Sequence, residues 1–186
     1  IYTHLVTDHY HYFEDGGAGF HGRYSSWEFI RGQEKDKWQG VAKPDLDRFR
    51  RDYHPLVFNG QTGPNSNLAY LLSREAISQE EQFPLVQCFD GALKFLDRNR
   101  KSDDCILHLE CFDPHEPFDC SRKWLDLYGD TWDRYPYTWP DYDRLDEQLD
   151  DEAAVAHIRK AYAATLTRAD YYLGRLLDKM DEYGLW

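Results

Sequence analysis

Cys105-Ile106-Leu107-His108-Leu109-Glu110-Cys111-Phe112 runs straight into Asp113-Pro114-His115-Glu116-Pro117-Phe118. The first stretch is largely apolar and strand-favouring, and the second is a proline-punctuated loop with a histidine at its centre. A buried strand ending in a rigid loop is how α/β proteins present a side chain at the carboxyl edge of a sheet. The prolines fix their own φ and hold the residues before them extended, so His115 is aimed rather than free to wander. The plain alternative is a strand-to-loop turn with a surface histidine. The rest of the chain decides between the two.

Upstream, Ser78 and Glu81 have capping-box spacing. A helix is expected after them, with Leu85, Cys88, Phe89, Ala92, Phe95 and Leu96 on its apolar face. Residues 99–104 form the loop into the strand, and helix, short loop, buried strand is one half of an α/β layer. Downstream, a short helix is expected over Ser121–Tyr128. An aromatic tract follows: Trp132, Tyr135, Tyr137, Trp139 and Tyr142, broken by Pro136 and Pro140. Such a tract either stacks on sugar rings or packs on its own side chains as a lid, and the lid is the preferred reading. The acidic run Asp141–Glu152 reads as a solvated face or the first turn of the next helix. From Glu152 to Tyr183 only Gly174 interrupts a helical pattern whose apolar positions are Ile158, Tyr162, Leu166, Ala169, Leu173, Leu176, Leu177 and Met180. Arg168, Arg175 and Lys179 thicken toward its end, as the helix dipole favours, and Gly184 closes it.

The amino-terminal part reads as a strand, Ile1–Val6, opening into a loop over Thr7–Gly17. His9 and His11 share parity there, so both imidazoles point to one side if the chain stays extended. Two histidines beside Asp8 suit either a metal or simple hydrogen bonding. Trp27, Phe29 and Arg31 alternate as in a second strand. Residues 35–64 are loop-rich with a brief helix near Asp45–Tyr53, and another helix starts over Asn65–Leu72, capped by Asn65 or Ser66.

The 186 residues are 41% hydrophobic, enough to bury the core of about one domain. A formal charge of -12 with no basic cluster beyond Arg48, Arg50 and Arg51 excludes a nucleic-acid binder or an anionic-membrane surface. No apolar run approaches the ~18 residues of a membrane span. Cys88, Cys105, Cys111 and Cys120 form no C-x-x-C pair and read as reduced thiols. Cys105 and Cys111 are expected on one face of the strand. The chain opens at Ile1 directly in a strand and stops at Trp186 just past a helix, so both ends are expected to be cuts within a longer protein. Strand edges exposed by such cuts would favour self-association.

Taken together, the His-rich strand end, the P-H-x-P-F loop and the segment Ala161–Leu185, with Asp170, Gly174, Leu177 and Gly184, resemble the middle of a sulfatase, in the alkaline-phosphatase-like superfamily. The resemblance covers nearly the whole chain. It implies an α/β fold, part of a mixed sheet flanked by helices, with residues 1–186 forming the central part of the catalytic domain. Leu107–Phe118 resembles the strand and loop that bring a sulfate-contacting histidine, here His115, into the site. Tyr2–Tyr12 resembles the segment that usually reads G-K-W-H-L. His11 then matches the family histidine, and His9 falls where a lysine is normal.

That exchange weakens a constant positive charge, since an imidazole is only partly protonated near neutral pH. It points toward phosphate or phosphonate esters as alternatives to sulfate. The family's nucleophile motif, C/S-x-P-x-R, is absent, as are its paired aspartates and the Asp-His pair expected after Trp186. The resemblance therefore implies that a formylglycine nucleophile and a divalent cation, usually calcium, are supplied by parts outside this chain. His115 and His11 would be the catalytic groups here, with His9 and His115 contacting a sulfate-ester small molecule or saccharide. This segment alone is expected to be inactive. A non-catalytic relative that binds saccharides is the alternative, and a zinc hydrolase built on His9, His11 and His115 is a more distant one.

Overall fold

A computed structural model describes residues 1–17, 19–63, 66–140, 142 and 151–186. Three strands form one sheet in the order β2-β1-β3, with β1 at Tyr2–Thr7, β2 at Ser26–Phe29 and β3 at Cys105–Glu110. Both pairings are parallel, His4 opposite Ser26 on one side and Leu107 on the other. Where a mixed sheet was expected, the described strands all run the same way. No hairpin joins them: each connection crosses over, as parallel neighbours require. All three strands therefore end at one edge.

Helices α1 (Leu46–Asp52), α2 (Leu68–Arg74), α3 (Pro84–Asn99), α4 (Arg122–Leu125) and α5 (Glu152–Tyr183) complete an α/β architecture. The main core joins α3, α4 and α5 to one face of the sheet through Leu85, Phe89, Trp124, Ala164, Tyr172 and Leu176. On that face the His4 ring stacks on Phe95 of α3, with centroids 4.8 Å apart and planes 2° apart. Gly91 lets α3 approach this closely, because a Cβ there would lie 3.0 Å from Val6 Cγ1. A second cluster gathers Phe49, Val57, Phe58, Tyr70 and Leu71 around buried Tyr137, with Trp132, Tyr135 and Trp139 packed against it. The aromatic tract thus packs on its own neighbours, except for exposed Tyr142. No helix of the described residues is long and apolar enough to cross a membrane.

Several local expectations are corrected. The capping box is Gln79–Gln82 around a 3-10 turn, rather than Ser78–Glu81. Helix α3 then starts at Pro84, a residue preorganised for the first helical position. Helix α2 starts from Asn67; the proposed cap Asn65, like most of the acidic run, lies outside the described residues. Strand β2 stops at Phe29, before Arg31, whose guanidinium instead grips Asp36 with Nε at 2.7 Å. Strand β3 stops at Glu110 because the next free N–H, that of Phe112, donates to Asp8 Oδ1 at 2.8 Å. Cys111, one residue past the strand end, still packs with Leu107 and Leu109 on the face expected for it and Cys105, beside buried Cys88; all four cysteines are free.

The largest correction concerns the orientation of α5. Its bounds match the sequence pattern, from Asp151, whose side chain accepts from Ala154 N at 2.8 Å, to left-handed Gly184. Its buried residues, however, are Ala154, His157, Ala161, Ala164, Thr165, Arg168, Tyr172 and Leu176. Tyr162, Leu166, Leu173 and Leu177 are exposed. A one-residue offset turns a helix by about 100°, and small alanines on the inner stripe let α5 sit close to its neighbours. The last turn carries no basic residue, so the expected dipole complement is absent there. Removing the amino-terminal cap with Asp151→Ala should lower stability, read as a downward shift in the urea midpoint at constant slope.

Candidate functional site

The shared carboxyl edge of a parallel sheet is where ligands of open α/β folds bind. Here it collects Asp8 and His9 beyond β1, Gln33 and Glu34 beyond β2, and Asp113, His115 and Glu116 beyond β3. Phe112 is the hub. Its ring lies 5.2 Å from that of His9, 6.4 Å from that of His11 and 4.4 Å from that of His115. All three candidate histidines thus meet around one phenylalanine. The backbone of Tyr10–Tyr12 does not stay extended as expected but turns as a 3-10 helix, which still leaves the His9 and His11 rings 5.3 Å apart.

Each histidine is held differently. His9 Nδ1 sits 3.0 Å from Glu110 Oε1, and the Tyr12 hydroxyl donates to both oxygens of the same carboxylate at 2.9 and 3.0 Å. Burial and Glu110 push the Tyr12 phenol up to about 12, so it remains a donor. His11 lies between two carboxylates, with Nδ1 2.8 Å from Glu14 Oε1 and Nε2 3.1 Å from Glu34 Oε2. Both of its nitrogens are therefore engaged, and it reaches a ligand only by releasing one of them. His115 is about half exposed, with Nδ1 3.1 Å from Glu116 O and 3.3 Å from Glu116 Oε2. Both peptide bonds flanking this turn, Asp113–Pro114 and Glu116–Pro117, are cis.

His115 opens into a cleft of about 500 Å³. The cleft's walls include Glu34, Lys35, Asn59, Asn67, Glu116 and Trp139, so acidic, basic, amide and aromatic groups converge there. The Lys35 ammonium lies 5.2 Å from the Trp139 ring centroid. Glu34 links this cleft to His11, and its backbone is left-handed at φ 50. Two residues earlier Gly32, at φ 101, fits only because it lacks a Cβ, which would sit 2.8 Å from the Trp38 ring. Asp36 pins the turn by accepting from Gly32 N at 2.8 Å.

Beneath the histidines lies a buried polar layer. Asp113 accepts from Gln33 Nε2 at 2.7 Å and from Arg168 Nη2 at 2.6 Å. Burial pushes the Asp113 carboxyl up, while Arg168 and Gln33 pull it back. Arg168 also donates to Asp119 O at 3.0 Å and lies 4.5 Å from the Phe83 ring centroid. Asp8 is fully buried; its Oδ2 has no partner, and burial followed by the nearby Asp113 charge lifts its pKa to about 8. The edge therefore keeps Asp8 as a neutral acid beside an Asp113–Arg168 ion pair.

The sequence marks Asp8 only as a neighbour of the histidines, Asp113 and Glu116 only as loop residues and Arg168 only as a charge along α5, and it singles out neither Gln33 nor Glu34. Among the described residues, no three His, Cys, Asp or Glu side chains come together to hold a metal ion. Asp113 does not fit a divalent cation, because its two oxygens accept from Gln33 and Arg168, whose positive charge already fills that role. Comparison of the chain with family models, with curated proteins and with solved structures finds no match.

Proposed function

We infer that this chain is the central part of a sulfatase-like hydrolase of alkaline-phosphatase-like fold, acting on sulfuric esters, with phosphoric or phosphonic esters as alternatives. The observation that carries this reading is the meeting of His9, His11 and His115 around Phe112, at the carboxyl edge of a parallel sheet and beside the cleft. Formylglycine and a divalent cation would come from outside these residues. The chain's own groups would bind and orient. His115, in the cleft wall, would give a proton to the ester oxygen as it leaves. Lys35 supplies positive charge for the ester group, and Trp139 offers a flat apolar face to the rest of the substrate. His9, fixed through Nδ1 by Glu110, presents its other nitrogen.

The test is His115→Ala in a protein that contains this chain together with its flanking sequence. Turnover of an aryl sulfate or phosphate should fall about 10²–10⁴-fold with the thermal midpoint nearly unchanged. Unaltered turnover removes His115 from the chemistry. A saccharide-binding relative without catalysis is favoured by one observation, the presence of Trp139, Asn59 and Asn67 together in the lining of the cleft. It predicts saturable sugar binding and no ester hydrolysis at all.

A further inference from the structure

A second cleft, of about 530 Å³, lies away from the histidine edge, between α3 and the starts of β1 and β2. Its floor is a polar chain. The Tyr2 hydroxyl donates to Ser26 Oγ at 2.9 Å, and His4 Nδ1 is 2.6 Å from the same oxygen. Burial lowers the pKa of His4, so its stacked ring is an uncharged part of this floor. Lys94 and Arg98, four residues apart on α3, line one side. On a helix such a pair shares a face.

Neither cation has a hydrogen-bond, ion-pair or ring partner among the described residues, in a chain where Arg31, Arg48, Arg50, Arg74, Arg122 and Arg168 all grip carboxylates. Arg98 is in the last turn of α3, where the helix dipole favours a cation, but Lys94 is a full turn earlier. Two adjacent like charges facing one cavity repel each other unless an anion joins them. Glu28 also lines the cleft, against α3 at Gly91, one turn before Lys94, and has no hydrogen-bond partner among the described residues. It comes this close to α3 because Gly91 leaves room: a Cβ there would be 3.1 Å from Glu28 Oε2.

We propose that this cleft is a second ligand site, in which Lys94 and Arg98 bind an oxyanion, sulfate or phosphate, either free or as the ester of a sugar whose hydroxyl reaches Glu28. The site stands independently of the hydrolase reading, since none of its residues belongs to the histidine edge. At low ionic strength the chain should bind inorganic phosphate, inorganic sulfate or glucose 6-phosphate saturably by isothermal titration calorimetry. The double variant Lys94→Gln, Arg98→Gln should weaken that binding at least about tenfold, the effect of losing charge-assisted hydrogen bonds. The control Lys101→Gln, Arg159→Gln should leave it unchanged. Tighter binding of glucose 6-phosphate, lost selectively in Glu28→Gln, identifies the sugar ester as the ligand; equal affinities identify the free ion. Absence of saturable binding, or binding that the Lys94→Gln, Arg98→Gln variant retains in full, overturns the proposal. Lys94 and Arg98 are exposed, so the variant should fold as the parent does, and an unchanged thermal midpoint checks this.

Discussion

Replacing Arg168 by methionine is expected to destabilise the protein by about 3–5 kcal/mol, the cost of leaving a buried charge without its partner. The side chain is 1% exposed, and its Nη2 bonds both Asp113 Oδ2 and Asp119 O. Methionine fills much of the same volume but leaves Asp113 with only Gln33 as a donor. The damage would not stay in α5, because Asp113 begins the turn that carries His115. Adding Asp113→Asn to the same variant should restore most of the loss, since an amide needs no counter-charge. Urea unfolding of the two single variants and the double variant measures this as a coupling energy. Additive effects would mean that the pair acts independently, contrary to the geometry.

Arg168 also shows where sequence reading stops. In a helix with several basic residues, it reads as one more solvated charge, and nothing local says that it points inward. The bounds of α5 are legible because its interior lacks breakers and Gly184 offers the left-handed residue that ends a helix. Its buried face is not, since the alanine series and the leucine series both keep helical spacing. Size decides between them: only the stripe with small side chains lets α5 close onto the core. The same holds at the sheet edge. His9, His11 and His115 are readable as candidates because histidines at strand ends stand out. Glu34 is not, because it meets His11 through a left-handed turn and the parallel pairing of β1 with β2, both tertiary facts.

Asp8 gives the other large effect, and its sign is opposite to that of an ordinary salt-bridged carboxylate. In the folded protein its pKa is raised to about 8, far above the ordinary aspartate range, first by burial and then by the Asp113 charge. Below roughly pH 4 both folded and unfolded chains hold the proton, and Asp8 costs nothing. Between there and pH 8 the folded state binds a proton that the unfolded chain has released, so stability falls steadily as pH rises. Above about 8 the penalty is complete, on the order of several kcal/mol. Asp8→Asn removes the titration while keeping an oxygen to accept from Phe112 N. The variant should therefore match the parent near pH 4 and exceed it by a few kcal/mol at pH 8, with a flatter urea-midpoint profile between. Parallel profiles across that range would show that Asp8 is ionised in the folded protein, with its buried Oδ2 paired to a donor. The neutral acid also keeps a second negative charge from facing Asp113, so Arg168 needs to balance only one carboxylate beneath the histidines.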